Sequence, residues 1–159
     1  MSGLAVAPWT RRSEAVARIA DSKMRLRRCG RTVHSLFRSM KVDDGRPLLE
    51  RSARALGVRI EGPDRDVEPD AEGDVHPQKG GMSVAPDDPL ALQTHRRPPE
   101  FGGTGKDPVW QISDDTLPAA LCFRRDAPSH GLVEPRSTMP LIGYEDRLAE
   151  TRDSWEPHL

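Results

Sequence analysis

Three short segments of the chain combine residue types suited to chemistry. Leu36-Phe37-Arg38 carries a guanidinium, an always-charged group whose planar fork pairs bidentately with an oxyanion where lysine would act as a point charge. Gly80-Gly81-Met82-Ser83-Val84 carries a hydroxyl behind two residues without a Cβ. The hydroxyl both donates and accepts, and the glycines permit close approach to the backbone. Ser129-His130-Gly131-Leu132-Val133-Glu134-Pro135 offers an imidazole and, four residues on, a carboxylate; on a strand these two share a face. Each feature also occurs as plain structure in small α+β proteins, so residue types alone leave the chemistry open.

Other candidates fail on spacing. Gly102-Gly103-Thr104-Gly105-Lys106 is followed by Asp107, where a phosphate loop needs Ser or Thr, and the nearby prolines oppose the helix that would receive the phosphate, so we read a turn. His76, His95 and His130 with Cys122 show no pair at metal-ligand spacing, and no metal is expected. No Gly-x-Ser-x-Gly occurs, which argues against the hydrolases built on that turn. Asp114-Asp115 reads as a cap and turn. Cys29 and Cys122 stand far apart, suggesting a reducing compartment and neither a disulfide framework nor a zinc site.

The elements that must position the three segments are short. Over 32–40 the residues Val33, Ser35, Phe37 and Ser39 alternate with His34, Leu36, Arg38 and Met40, which predicts a half-buried strand ended by the turn Asp43-Asp44-Gly45. Pro47, then Leu49, Ala53 and Leu56, then Gly57 predict a helix over 47–56 with its stop. Val58-Arg59-Ile60 reads as a short extended piece. The acidic stretch 61–80, with Gly62, Pro63, Pro69, Gly73 and Pro77, reads as a loop, and 80–84 as a strand. The proline-rich segment 86–108, with His95-Arg96-Arg97, reads as a long irregular loop, and such loops are functional or disordered. Strands follow at 109–112, 121–124 and 131–134. A last helix is predicted over 140–155, capped by Ser137 or Thr138, with Leu141, Tyr144, Leu148 and Trp155 on one face.

Composition bounds what can be built. The 159 residues allow one small domain with tails. Leu, Ile, Val and Phe make roughly a fifth of the chain, near the level where burial begins to fail; the net charge of −1 lacks the self-repulsion that accompanies disorder. A modest α+β fold rich in loops is the expectation. No apolar run reaches membrane-spanning length and no signal-peptide pattern follows the N-terminal charges, so a soluble chain is expected. The charge is uneven: residues 1–60 hold 14 basic and 5 acidic side chains, whereas 61–159 hold 10 and 20. We read 1–31 as a basic tail or helix and 32–159 as the domain. Nucleic-acid binding through 1–31 is an alternative, weakened because Trp9 is the only aromatic platform there.

Taken in order, arginine, serine and glutamate resemble the arrangement in ADP-ribosyltransferases, whose fold is two packed, strongly bent small sheets gripping NAD. The chain is more closely similar to the type six secretion exported effector two toxins, which have that fold. Leu36-Phe37-Arg38 stands for the family's Leu-Tyr-Arg, and Gly80-Gly81-Met82-Ser83-Val84 for its Gly-Gly-Thr-Ser-Val. Ser129 to Met139 keeps the register of its Thr-His-x-x-Ile-x-Pro-x-x-x-Met, with His130, Val133, Pro135 and Met139 in place. The Leu117-Pro118-Ala119-Ala120-Leu121 run resembles its Pro-x-x-Leu. The likeness spans 33–155 and departs at 85–108; Met82, Phe37 and Glu134 replace the family's Thr, Tyr and an apolar residue.

The resemblance implies an NAD-dependent ADP-ribosyltransferase toxin. It implies that Arg38, Gly81 and Ser83 bind NAD, Arg38 at the pyrophosphate and Ser83 at the ribose, and that Glu134, Ser83 and His130 are catalytic. Glu134 would bond the ribose 2′-hydroxyl and stabilise the developing cation, since this cleavage passes through an oxocarbenium-like state. It also implies a macromolecular acceptor, an immunity protein, and action in a cytoplasm reached without a cleaved signal peptide. The rival reading is a non-enzymatic interaction protein with the same fold.

Overall fold

The computed structural model describes residues 31–159, so the segment read as a basic tail or helix over 1–31 lies, Arg31 apart, outside the described residues. Among the described residues, ten strands and one α-helix follow in order: β1 (Ser35–Ser39), β2 (Val42–Asp43), β3 (Arg46–Pro47), β4 (Asp74–Val75), β5 (Met82–Pro86), β6 (Val109–Ser113), β7 (Leu121–Ala127), β8 (His130–Pro135), β9 (Met139–Pro140), α1 (Leu141–Glu150) and β10 (Glu156–Pro157). The class is α+β, as the composition and strand pattern imply.

The main hydrogen-bonded order is β10-β6-β1-β5-β8-β7, and every pairing is antiparallel. β5 changes partner midway: Met82, Ser83 and Val84 pair with β8, while Ala85 and Pro86 pair with β1. The order is therefore two small sheets sharing one strand. A strand that serves two sheets in succession is how packed β-layers turn a corner. β2 and β3 form a separate hairpin, closed by Asp44 and Gly45 at φ 51° and 72°, the left-handed pair that a tight hairpin turn requires.

Alternation along β1 decides the core. Leu36 and Met40 join Trp110, Ile112, Val84, Met82 and Val133 in the main cluster, against Tyr144, Leu148 and Trp155 from α1 and its C-terminal extension. The opposite face is buried too: Phe37 packs with Ala85 and Val109 beneath Ala91, Leu92 and Phe101. β1 is thus covered on both faces rather than half-buried. The segment expected to be an irregular loop supplies the second cover, folded into three single-turn 3-10 helices at Pro89–Ala91, Thr94–Arg96 and Pro99–Phe101. Its Gly-Gly-Thr-Gly run is a matter of packing, since a Cβ on Gly103 would lie 2.1 Å from the Arg97 carbonyl oxygen.

The predicted helix over 47–56 does not form; the chain there is a set of turns in which Leu56 N donates back to Leu48 O at 2.7 Å. The reason is tertiary. The carbonyls of Ser52, Ala53, Ala55 and Gly57 accept from the buried Arg38 guanidinium, and helical geometry would commit several of them to their own chain. Gly57 serves the fold-back rather than a helix stop, because a Cβ there would meet Glu50 O at 2.3 Å. The final helix begins as predicted but ends at Glu150, is capped at Pro140 without a side-chain bond, and is followed by a 3-10 turn at Arg152–Ser154.

Candidate active site

Arg38 stands on the inner face of β1, in register with Trp110, and is only 4% exposed. A buried guanidinium must find acceptors. Its five partners are main-chain carbonyls: Nε donates to Ala55 O at 3.1 Å, Nη1 to Ser83 O at 2.6 Å, and Nη2 to Ser52 O, Ala53 O and Gly57 O at 3.5, 3.3 and 3.4 Å. Dipoles offset part of the desolvation but carry no net negative charge. Burial, and secondarily the charge of Arg96, lowers the Arg38 pKa from the ordinary arginine value to about 10.

Around this guanidinium lies an open cleft with an empty volume of ≈ 770 Å³ counted to its mouth. Arg38, Arg59 and Arg96 line it against a single carboxylate, Asp66; His95 and His130 add two imidazoles, and Ser83, Gln93 and Ser129 add neutral polar groups. Val84, Ala85, Ala91 and Leu92 form its apolar side. Asp66 is tied to Arg59, accepting from its main-chain N at 2.7 Å, Nε at 3.2 Å and Nη2 at 2.9 Å. The charge left over is that of Arg38 and Arg96. Arg96 donates through Nη2 to Ser39 O at 3.3 Å and to Ala53 O, and burial lowers its pKa as well. Among the described residues these two guanidinium groups meet carbonyls and no carboxylate, and in a cleft with one apolar side their chemistry suits a multivalent anion attached to something less polar.

Three of the residues singled out in the sequence meet here. Arg38, Ser83 and His130 line the cleft; Gly81 and Glu134 are not among its lining residues. Strand register gives the reason. Ser83 pairs with Leu132 and Val84 with Gly131, so the His130 end of β8 reaches the cleft while Glu134, four residues on and roughly 13 Å along an extended strand, sits at the far end of the ladder. There Glu134 is 3% exposed, accepting from Arg124 Nε at 3.0 Å and Gln78 N at 3.3 Å. Gly81 lies beside it: a Cβ would meet Val133 O at 2.6 Å and Glu134 Cβ at 3.1 Å. Close approach of β8 therefore accounts for that glycine.

His130 is oriented by its own strand pair, Nδ1 sharing a proton contact with Asp126 Oδ1 at 2.6 Å, which leaves the other ring nitrogen to face outward chemistry. Arg59, Asp66, Gln93, His95 and Arg96 were not singled out as site residues from the sequence. The run His95-Arg96-Arg97 was the available signal; the 3-10 turn at Thr94–Arg96 is what presents two of its members to the cleft. Among the described residues no group of three His, Cys, Asp or Glu gathers as a metal would need, and no helix is long and apolar enough to cross a membrane.

A search of curated proteins and a search of solved structures find no match to the chain. A family model described as Tse2 ADP-ribosyltransferase toxin matches residues 34–155, the span that holds β1, the cleft and α1. With most of the sequence inside that match, the chain belongs to the Tse2 ADP-ribosyltransferase toxin family.

Proposed function

We propose that the cleft binds NAD and that the chain transfers its ADP-ribosyl group to an intracellular acceptor. The observation that carries this reading is the pair Arg38 and Arg96, which among the described residues have no carboxylate partner and line the same cleft as Ser83 and an apolar wall. A dinucleotide offers the complementary groups: a pyrophosphate for the guanidiniums, ribose hydroxyls for Ser83, and flat rings for Val84, Ala91 and Leu92.

In the reaction the bond between ribose C1′ and the nicotinamide nitrogen breaks, the electron pair leaving with nicotinamide. The acceptor's nucleophile bonds to C1′ and gives up its proton. Asp66 is the cleft carboxylate that can stabilise the positive charge developing on the ribose. His130, steadied by Asp126, is assigned the acceptor's proton. On this reading Gly81 and Glu134 hold the β5–β8 ladder that positions Ser83 and His130, and do not touch NAD. The catalytic domain is assigned to 32–159, and an immunity protein would act by covering the cleft.

The test is proton NMR of NAD incubated with the full chain. Release of nicotinamide, lost in Ser83→Ala, is expected. NAD that binds without being cleaved would favour the interaction-protein reading, and NAD that does not bind would end the proposal.

A further inference from the structure

A second recess adjoins the cleft, with an empty volume of ≈ 600 Å³ counted to its mouth. It shares His95 and Arg96 with the cleft and is otherwise lined by Ser39, Arg54, Thr104, Gly105, Lys106 and Asp107. Arg96 is therefore the wall between two concavities. The charge balance of the second resembles that of the first: three cations face one carboxylate. That carboxylate is already engaged, since Asp107 accepts from Arg54 Nε at 2.5 Å and Nη2 at 2.7 Å. Among the described residues, neither Arg96 nor Lys106 makes an ion pair with a carboxylate. Lys106 is exposed at the rim and Arg96 half-buried within.

The neighbouring main chain cannot do this work. The N–H groups of Gly103, Thr104 and Gly105 donate to Pro98 O, Thr94 O and Arg97 O, so the glycine-rich run offers no amide cradle. Recognition falls to side chains: the Arg96 fork, the Lys106 ammonium and the Thr104 hydroxyl at the rim. Together they match a tetrahedral oxyanion, which presents several acceptors to donors arriving from different sides.

We propose that this recess is a second phosphate subsite, sharing Arg96 with the cleft. Its phosphate has two sources with the same chemistry: an additional phosphate on the dinucleotide in the cleft, as in NADP, or a phosphate not carried by that dinucleotide. Naming a dinucleotide rests on the function proposed above; the phosphate subsite itself does not.

The experiment uses the full chain. Inorganic phosphate is titrated while the amide signals of 104–106 are followed by NMR, and NAD and NADP are titrated by calorimetry. Saturable shifts at 104–106 are expected, weakened about tenfold in Lys106→Met, which removes one charge-assisted contact from an exposed position, with the melting midpoint of the parent retained. NADP binding about tenfold tighter than NAD, with the gap closed in Lys106→Met, identifies the dinucleotide as the source. Equal affinities for NAD and NADP, with phosphate still bound, identify the other source. Absence of the phosphate-dependent shifts, or shifts that Lys106→Met leaves unchanged, would overturn the subsite. Phosphate bound at 104–106 with no binding of NAD or NADP would overturn the proposed function and leave the subsite standing.

Discussion

Arg38 and Arg96 donate to one acceptor, the carbonyl oxygen of Ala53. Sharing an oxygen forces two like charges together in a place where water is partly excluded, and repulsion at that range is screened weakly. Carbonyl dipoles tolerate the pair without neutralising it. On the function proposed above, a bound anion would offset this repulsion and contact both forks. Placing Arg38 on the core face of β1 and Arg96 on a 3-10 turn across from it makes this meeting a property of the fold.

Replacing Arg96 by Met should therefore weaken NAD and pyrophosphate about tenfold or more by calorimetry, the loss expected for one charge-assisted fork. The fold should survive, because Ala53 O keeps its bond from Arg38. Unchanged affinity in this variant would remove Arg96 from the site. Arg38 is a poorer target: removing it takes a donor from five buried or half-buried carbonyls, of which only Ala53 O keeps the shared bond from Arg96 described above, so lost binding and lost folding would be confounded.

The lowered Arg38 pKa gives a pH dependence with a definite sign. The folded state releases this proton at about 10, the unfolded state at the higher value ordinary for arginine. Below both values Arg38 is charged in either state and its burial costs stability; that cost recedes as pH rises above about 10. Anion binding runs the other way, because it needs the charged form. Pyrophosphate affinity should fall as pH passes through about 10. In Arg96→Met the fall should move to higher pH, since a charge that opposes protonation has gone. A falling limb that stays in place would show that another group governs it.

The longer strands β1, β5, β6, β7 and β8 were legible as alternating or short apolar runs near Pro, Asp or Gly, and α1 because Leu141, Tyr144 and Leu148 repeat at helical spacing; the two-residue strands β2, β3, β4, β9 and β10 are too short to leave such a pattern. The segment over 47–56 misled for a tertiary reason. Its apolar spacing suits a helix, but its carbonyls are claimed by an arginine some fifteen residues earlier, as the Arg38 bond to Ala53 O, 15 positions away, shows. The three motif residues that reach the cleft were visible in sequence order. Arg59, Asp66 and Arg96 were not, since irregular segments with no periodicity deliver them. Glu134 illustrates a different limit: alternation predicts the face it shares with His130, but parity says nothing of distance along a strand, and that distance separates it from the cleft.

Tyr144 joins the helix to the ladder that sets this distance. Its hydroxyl donates to Val133 O at 2.6 Å and accepts from Met82 N at 3.1 Å, bridging the very residues that pair between β5 and β8. Burial pushes the phenol pKa up, so the hydroxyl stays protonated across the working range. Tyr144→Phe would keep the packing and leave a buried N–H and a buried carbonyl short of a partner, costing about 1–3 kcal/mol. Denaturant unfolding should show a lower midpoint at unchanged slope. A midpoint equal to the parent's would mean that the ladder satisfies both groups without the hydroxyl.

Asp87 should contribute to acid sensitivity. It sits at φ 64°, accepts from His34 Nδ1 at 2.9 Å and Arg125 Nη2 at 2.5 Å, and its pKa is lowered from 3.8, chiefly by the His34 hydrogen bond. A carboxylate depressed in the folded state stabilises above its unfolded pKa and loses that contribution as pH falls through the folded one. The effect is modest because the group is solvent-screened. Asp87→Asn, which tolerates the left-handed backbone, should be less stable at neutral pH and lose less stability than the parent on acidification below 3.8. Parallel stability curves for the two chains would discount this cluster.

Ser83 and Gly81 lie two residues apart on the same approach to β8, yet they should fail differently. Ser83 lines the cleft, and the atom that steadies Arg38 is the Ser83 carbonyl, which alanine retains. Ser83→Ala should therefore fold to within about 0.5 kcal/mol of the parent. Its expression in a bacterial or yeast cytoplasm should no longer arrest growth if the hydroxyl holds the ribose. Gly81→Ala pushes a Cβ to 2.6 Å from Val133 O, so strands must move apart at about 1–3 kcal/mol. Growth should recover there too, but together with loss of folded protein in the lysate. Measuring growth and folded yield side by side separates the two causes. Arrest by Ser83→Ala at parental yield would take the hydroxyl out of the reaction, and full folded yield of Gly81→Ala would show that the β5–β8 spacing has slack the close contact conceals.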